Sequence, residues 1–160
     1  MAVLYLVIPC YNEEEVIDET VKRLTVKLDK MKENDLIEDK SKILLVDDGS
    51  KDKTWEIIES LSVSNDYVEG VKLAHNRGHQ NALLAGLETA EKHCDCAISI
   101  DADLQDDIEV IGEFVQKYID GCDVVYGVRK KRETDTAFKR MTAQGFYKVM
   151  KFLGVDIVFN

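Results

Sequence analysis

The sequence has one proline and three histidines in 160 residues. A single proline excludes Pro-rich linkers and the disordered tracts they form. No apolar run approaches the roughly 20 residues that cross a bilayer as a helix. Positive charge is scarce: 21 Lys and Arg face 31 Asp and Glu, a formal net charge of −10. Such a chain is a poor general partner for nucleic acid, whose phosphates need clustered Lys and Arg. The acidity serves solubility instead. Cysteine is limited to Cys10, Cys94, Cys96 and Cys122, with no C-x-x-C pair. That spacing argues against both a disulfide framework and a zinc site. Cys10 and Cys96 fall inside apolar runs and read as small buried thiols of a reducing compartment.

What is present is a globular composition, 45% hydrophobic and 32% charged. That is enough to bury a core within one domain spanning residues 1–160. The apolar start, Val3 to Ile8, lacks a basic leader and runs into Glu13-Glu14-Glu15, so it reads as a buried strand rather than a signal peptide. Apolar runs then alternate with helical patterns. This is the signature of an α/β, Rossmann-like fold with a mostly parallel sheet and helices on both faces. Strands are expected at 3–8, 43–46, 68–73, 96–100 and 124–127. The first helix is expected to start at Asn12, with Glu15 as its capping-box partner, and to bury Ile17, Val21, Leu24, Leu28 and Met31. A second helix carries Trp55, Ile58 and Leu61, a third covers 80–92, a fourth buries Ile108, Ile111, Val115 and Ile119, and a long one covers 136–153. Val155 to Phe159 reads as the start of a further element, so the sequence is expected to stop short of a complete fold.

Four polar clusters follow strands: Tyr11 to Glu13, Asp47-Asp48, Asn76 to His79, and Asp101 to Asp103. In a parallel sheet those strand ends share one edge, where open α/β folds bind ligands. Asp101-Ala102-Asp103 offers alternating carboxylates just past a strand. Mg²⁺ and Mn²⁺ favour such hard oxygen ligands, completed by phosphate and water. Two solvated aspartates in a turn would give the same letters. Asp48 could accept hydrogen bonds from a base or ribose, with Ser50 or Asp52 capping the next helix; the same residues also make a turn and cap without a ligand. Tyr11 could stack on a nucleobase and Glu13 bond its edge. His75 and His93 read as surface residues, and His79 is the one histidine placed near a ligand. Between Arg129 and Lys151 stand eight basic and two acidic residues. Arg129 could grip a phosphate bidentately, and the basic amphipathic helix beyond could lie on an anionic membrane or simply face solvent.

Taken together, these residues resemble glycosyltransferase family 2 of the GT-A fold, nearest to the polyprenyl-phosphate sugar transferases. The resemblance rests on Val7-Ile8-Pro9-Cys10-Tyr11-Asn12-Glu13, Asp47-Asp48-Gly49-Ser50, Asn76-Arg77-Gly78, Asp101-Ala102-Asp103-Leu104-Gln105-Asp106, Asp123 to Arg129, and Phe138-Lys139-Arg140. It implies that Pro9, Tyr11, Glu13, Val46 and Asp48 line a nucleoside pocket. Asp101 and Asp103 would meet Mg²⁺ or Mn²⁺ and the diphosphate, with Ala102 and Gln105 beside them, Arg129 on phosphate and Asp103 in the catalytic role. It also implies a nucleotide-sugar donor, a lipid-phosphate acceptor, transfer with inversion, and a cytoplasmic domain whose full-length protein meets the membrane surface; homo-oligomers stay open. One departure is Asp107-Ile108 where such proteins usually have two prolines. Another is that their further acidic residue, the proposed base, lies beyond residue 160. Two alternatives remain at this point: a non-catalytic nucleotide-sugar-binding module, and a D-x-D phosphatase, which wants Thr or Val where Gln105 stands.

Overall fold

In a computed structural model of the chain, residues 1–105 and 107–127 are described. The chain divides into two compact units, Met1–Val125 and Tyr126–Asn160, and the first is described here. It alternates strand and helix: β1 (Leu4–Cys10), α1 (Ile17–Glu33), β2 (Lys42–Asp47), α2 (Thr54–Ser64), β3 (Val68–Lys72), α3 (His79–Ala90), β4 (Cys96–Ser99), a short 3₁₀ turn (Ile108–Val110) and α4 (Ile111–Ile119). The four strands form one parallel sheet in the order β3-β2-β1-β4.

β1 is central and all seven of its residues are buried, as an apolar strand covered on both faces should be. Period-two alternation divides it. Leu4, Leu6, Ile8 and Cys10 face one layer of core; Tyr5 and Val7 face the other. The first layer takes the α1 stripe Ile17, Val21, Leu24, Leu28 and Met31, all buried as its spacing predicts, together with Ile58, Ile111 and Val115. Each of these large apolar side chains contributes about 1.5–3 kcal/mol by leaving water. The second layer is covered by α3. Its Gly86 rests on Val7 and Val46, where a Cβ would overlap both side chains. Glycine weakens a helix interior by about 1 kcal/mol, and here it lets the helix close onto the sheet.

Several expectations need correction. The first helix begins at Ile17 rather than at Asn12, because Asn12 adopts φ +56° and turns its side chain to another loop. No side chain caps that helix, so the Asn12–Glu15 capping box does not form. Residues 124–127 are not a strand: Val124 is 77% and Tyr126 71% exposed, and nothing pairs with them among the described residues. Four residues without a ladder or a covering face do not hold an extended strand. Ile119 is 44% exposed, because α4 ends there before its stripe returns to the core. Cys96 is half-buried, since among the described residues β4 pairs only with β1 and is less covered than the central strands. Arg129, the basic turn and the helix expected at 136–153 lie outside the described residues. Among the described residues no helix is long and apolar enough to cross a membrane.

Candidate active site

Because all four strands are parallel, the polar clusters after β1, β2, β3 and β4 come to one edge of the sheet. β1 sits between β2 and β4, so the chain order reverses beside it; in open α/β sheets that crevice is the ligand site. Hydrogen bonds tie neighbouring clusters together. The β1–α1 loop is laced to the β2–α2 loop by five of them. Asn12 N donates to Ser50 Oγ (3.0 Å), Glu13 N to Thr54 Oγ1 (2.8 Å) and Glu14 N to Asp52 Oδ2 (3.2 Å). In return Lys51 N donates to Asn12 Oδ1 (2.9 Å) and Lys53 N to Glu14 Oε2 (2.9 Å). Asp52 also accepts from Thr54 N and Oγ1, at 3.0 and 2.6 Å. Burial pushes the Asp52 carboxyl up, but these bonds from Thr54 and Glu14 outweigh it and hold it below the ordinary range.

Asp48 joins the next pair of clusters. It is 2% exposed, and its two oxygens accept from Arg77 N (2.6 Å) and Gly78 N (2.8 Å). Its carboxylate therefore sets the β3–α3 turn. Gly49, at φ +69°, packs flat on the backbone of His75 and Asn76. The α3 N-terminus then brings His79 Nε2 to 3.9 Å from Asp101 Oδ1, so the third cluster approaches the fourth without a hydrogen bond between these two side chains.

The Asp101–Gln105 turn separates its side chains by face. Ala102 and Leu104 are buried, whereas Asp101, Asp103 and Gln105 are exposed. Leu104 N bonds back to Asp101 O (3.2 Å) and Gln105 N to Asp103 Oδ1 (3.2 Å). Leu104 adopts φ +47°, which costs about 1–2 kcal/mol for a residue with a Cβ. Its side chain is held by the core, and that burial sustains the strained turn. Both carboxylates are thus presented on the ligand edge.

Glu13 senses them. Its carboxyl is raised above the ordinary range, first by burial and then by the charges of Asp103, Asp52 and Asp101. Four carboxylates thus cluster on this edge. No three His, Cys, Asp or Glu side chains among the described residues converge to hold a metal unaided. Two outward carboxylates in a negative field, with phosphate and water to complete the shell, suit Mg²⁺ or Mn²⁺. The donor set therefore fits such an ion at Asp101 and Asp103. Cys10 offers no competing thiolate chemistry: burial, then Glu13 and Asp47, push its thiol far up and keep it protonated. Asp47 itself is fully buried, with Oδ1 accepting from Ser50 N and Oδ2 without a partner among the described residues.

The raised Glu13 carboxyl predicts a pH-dependent stability. The folded state binds that proton more tightly than the unfolded chain, so stability falls as pH rises from the unfolded to the folded value. Glu13→Gln should stabilise the metal-free protein at pH 7 by about 0.5 kcal/mol, a small figure because the site is open to solvent. The gain should vanish below about pH 4, where an unfolded carboxyl is already protonated. Thermal melts at the two pH values check this, and equal melting points at pH 7 would contradict it.

Of the residues singled out in the sequence, Tyr11 (39% exposed), Glu13, Asp101, Asp103 and Gln105 stand on the ligand edge with side chains open to it. Pro9, Val46 and Ala102 are buried beneath that edge and shape it from below. The hydroxyls of Ser50, Thr54 and Thr20 were not singled out as binding loops or turns to one another. Each acts on a partner at least 38 residues away, and a linear pattern carries no signal for that.

Residues 5–159 match the sequence profile of Glycosyl transferase family 2. The chain belongs to that family. It is 58% identical over 158 residues to the uncharacterized glycosyltransferase YkoT of Bacillus subtilis, covering 99% of this chain and 47% of that one. It is 40% identical over 144 residues to the bactoprenol glucosyl transferase of Shigella phage SfV, covering 90% and 44%. The chain thus spans about half the length of these curated relatives. Among solved structures, it resembles the mannosyltransferase PcManGT of Pyrobaculum calidifontis in complex with GDP-Man and Mn²⁺. The TM-score is 0.50 at 26% identity, over 64% of this chain and 28% of that one. S. aureus TarS in complex with UDP shares the fold, with a TM-score of 0.52 at 19% identity over 81% and 40%. The fold of this family 2 chain is GT-A, a parallel sheet with helices on both faces. The phosphatase alternative falls away with the family match.

Proposed function

We propose that this family 2 domain binds a nucleotide-diphosphate sugar and, in its whole protein, transfers the sugar to a polyprenyl phosphate with inversion. The observation that carries this reading is the outward pair Asp101 and Asp103 beside Glu13 at the β1–β4 crevice. The bactoprenol glucosyl transferase relatives support the lipid-phosphate acceptor. The PcManGT complex with GDP-Man and Mn²⁺ supports the donor class and the metal.

In this reading Tyr11 stacks on the base, Glu13 bonds its edge or the ribose, and Asp48 holds the β3–α3 turn against the nucleoside. Asp101 and Asp103 hold a divalent cation, which supplies charge neutralisation to the departing diphosphate. Arg129 is assigned to phosphate by its place in the family pattern. The lipid phosphate is its own nucleophile: a phosphate monoester has a second pKa of about 6 and is mostly dianionic at neutral pH. Its oxygen forms the new bond at the anomeric carbon as the bond to the diphosphate breaks, on the opposite face of the ring. The membrane-surface role of the basic segment 129–151 and a cytoplasmic location belong to the same proposal.

The test has two stages. UDP- and GDP-sugars are titrated calorimetrically with and without Mn²⁺, and labelled donor and polyprenyl phosphate are then incubated with the whole protein. Metal-dependent donor binding and a labelled lipid product with inverted anomeric configuration are expected. Donor binding without transfer would make the chain a binding module, and absence of both would overturn the proposal.

A further inference from the structure

The turn that carries Asp101 and Asp103 is held from outside its own segment. Thr20, on α1, is 3% exposed, and its Oγ1 donates to Ala102 O at 2.5 Å across 82 residues of sequence. A threonine inside a helix commonly bonds the carbonyl four residues back. Thr89 in α3 does so, to Ala85 O, whereas the Thr20 hydroxyl reaches away from its helix. Ala102 lies between the two carboxylates, so the bond ties down the backbone from which both of them project. The same helix grips the chain a few residues on. Lys27 Nζ donates to Glu109 O (3.1 Å) and to Glu109 Oε2 (2.7 Å). Leu104, at φ +47°, is in a conformation that branched side chains avoid, so the turn would relax if its supports were removed.

We propose that Thr20 is a positioning residue of the metal–diphosphate site: by holding the Ala102 carbonyl inward it keeps Asp101 and Asp103 directed outward together. This rests on the reading that those two carboxylates hold a divalent cation. Partners that orient metal ligands typically govern affinity by 10–100-fold when removed. Thr20 is buried and its hydroxyl is engaged by Ala102 O, so its effect should be confined to the metal-dependent part of binding.

The experiment compares wild type, Thr20→Val and Thr20→Ser, titrating Mn²⁺ by electron paramagnetic resonance in the presence of UDP or GDP. UDP and GDP binding in EDTA is measured in parallel. Thr20→Val keeps the shape and removes the donor; it should weaken Mn²⁺ binding about 10-fold and leave binding in EDTA unchanged. Thr20→Ser restores the hydroxyl and should return Mn²⁺ affinity to the wild-type value. Thr25→Val is the control: it removes another α1 hydroxyl, the acceptor for Asn65 Nδ2, away from the aspartate turn, and should leave Mn²⁺ affinity unchanged. If Thr20→Val does not fold, Thr20→Ala carries the same comparison with room for a water on the freed carbonyl. Wild-type Mn²⁺ affinity in Thr20→Val, an equal loss in EDTA, or no recovery in Thr20→Ser would overturn the role of Thr20. A wild-type protein without any Mn²⁺ binding would instead overturn the metal reading of Asp101 and Asp103, and the proposal with it.

Discussion

Replacing Asp103 with alanine is expected to erase the metal-dependent part of nucleotide-sugar binding while the domain stays folded. The side chain is exposed, and among the described residues its one bond is to the amide of Gln105. Its removal thus costs little packing, and it takes one charge away from Glu13, whose carboxyl should fall back towards its ordinary range. A ligand present at 100 times its Kd stabilises by about 2.7 kcal/mol, which for a chain of this size is about 5–10 °C in Tm. Wild type should show that increment with donor plus Mn²⁺, and Asp103→Ala should show none. Transfer in the whole protein should drop by about 10²–10³, the usual consequence of removing one electrostatic support from a transition state. An unchanged shift in the variant would remove Asp103 from the metal site.

Gly49→Ala should have the largest effect on stability. At φ +69° an added Cβ costs about 1–2 kcal/mol. It would also stand 2.7 Å from Asn76 N and from the Cα and carbonyl carbon of His75, and backbone cannot swing aside as a side-chain tip can. Overpacking of that kind adds about 1–3 kcal/mol. The sum, about 3 kcal/mol, corresponds to a fall of roughly 6–12 °C in Tm. Relief of the clash would push the β3–α3 turn outward and stretch the bonds from Arg77 N and Gly78 N to Asp48. Gly78→Ala is an informative companion: it also has positive φ, but nothing lies within 4 Å of an added Cβ. At φ +88° and ψ 151°, a region essentially confined to glycine, it should show the conformational cost alone, about 1–3 kcal/mol. A Gly49→Ala structure in which the bonds from Arg77 N and Gly78 N to Asp48 are unstretched would contradict the crowding argument.

Much of this architecture was legible in the linear chain because the signals are local. The α1 stripe and the four strand–helix alternations follow from the spacing of apolar residues, and the shared edge follows from parallel pairing. The misreadings have a common physical origin. Asn12 followed by acidic residues satisfies every local criterion for a helix cap, yet its side chain bonds Lys51 N, 39 residues on. The run Val124 to Gly127 has strand composition, but composition does not supply a pairing partner. Asp48 is not among the misreadings: beside its expected place in a nucleoside pocket, both its oxygens hold backbone amides of another loop. Asp101 and Asp103 were recognisable as a candidate pair because both are carboxylates just past an apolar strand; that both are exposed around a buried Ala102 is what the turn adds. The hydroxyl of Thr20 beneath them was not recognisable, since a threonine in a helical stripe reads as packing.

The lacing between the β1–α1 and β2–α2 loops bears on affinity. Those loops are ordered by contacts formed during folding, so a visiting molecule would not have to freeze them. Preorganisation of this kind leaves more of the contact enthalpy available as net affinity. Severing a rung such as the Asn12–Lys51 bond should then weaken association chiefly through an unfavourable entropy, with the heat released on contact little altered.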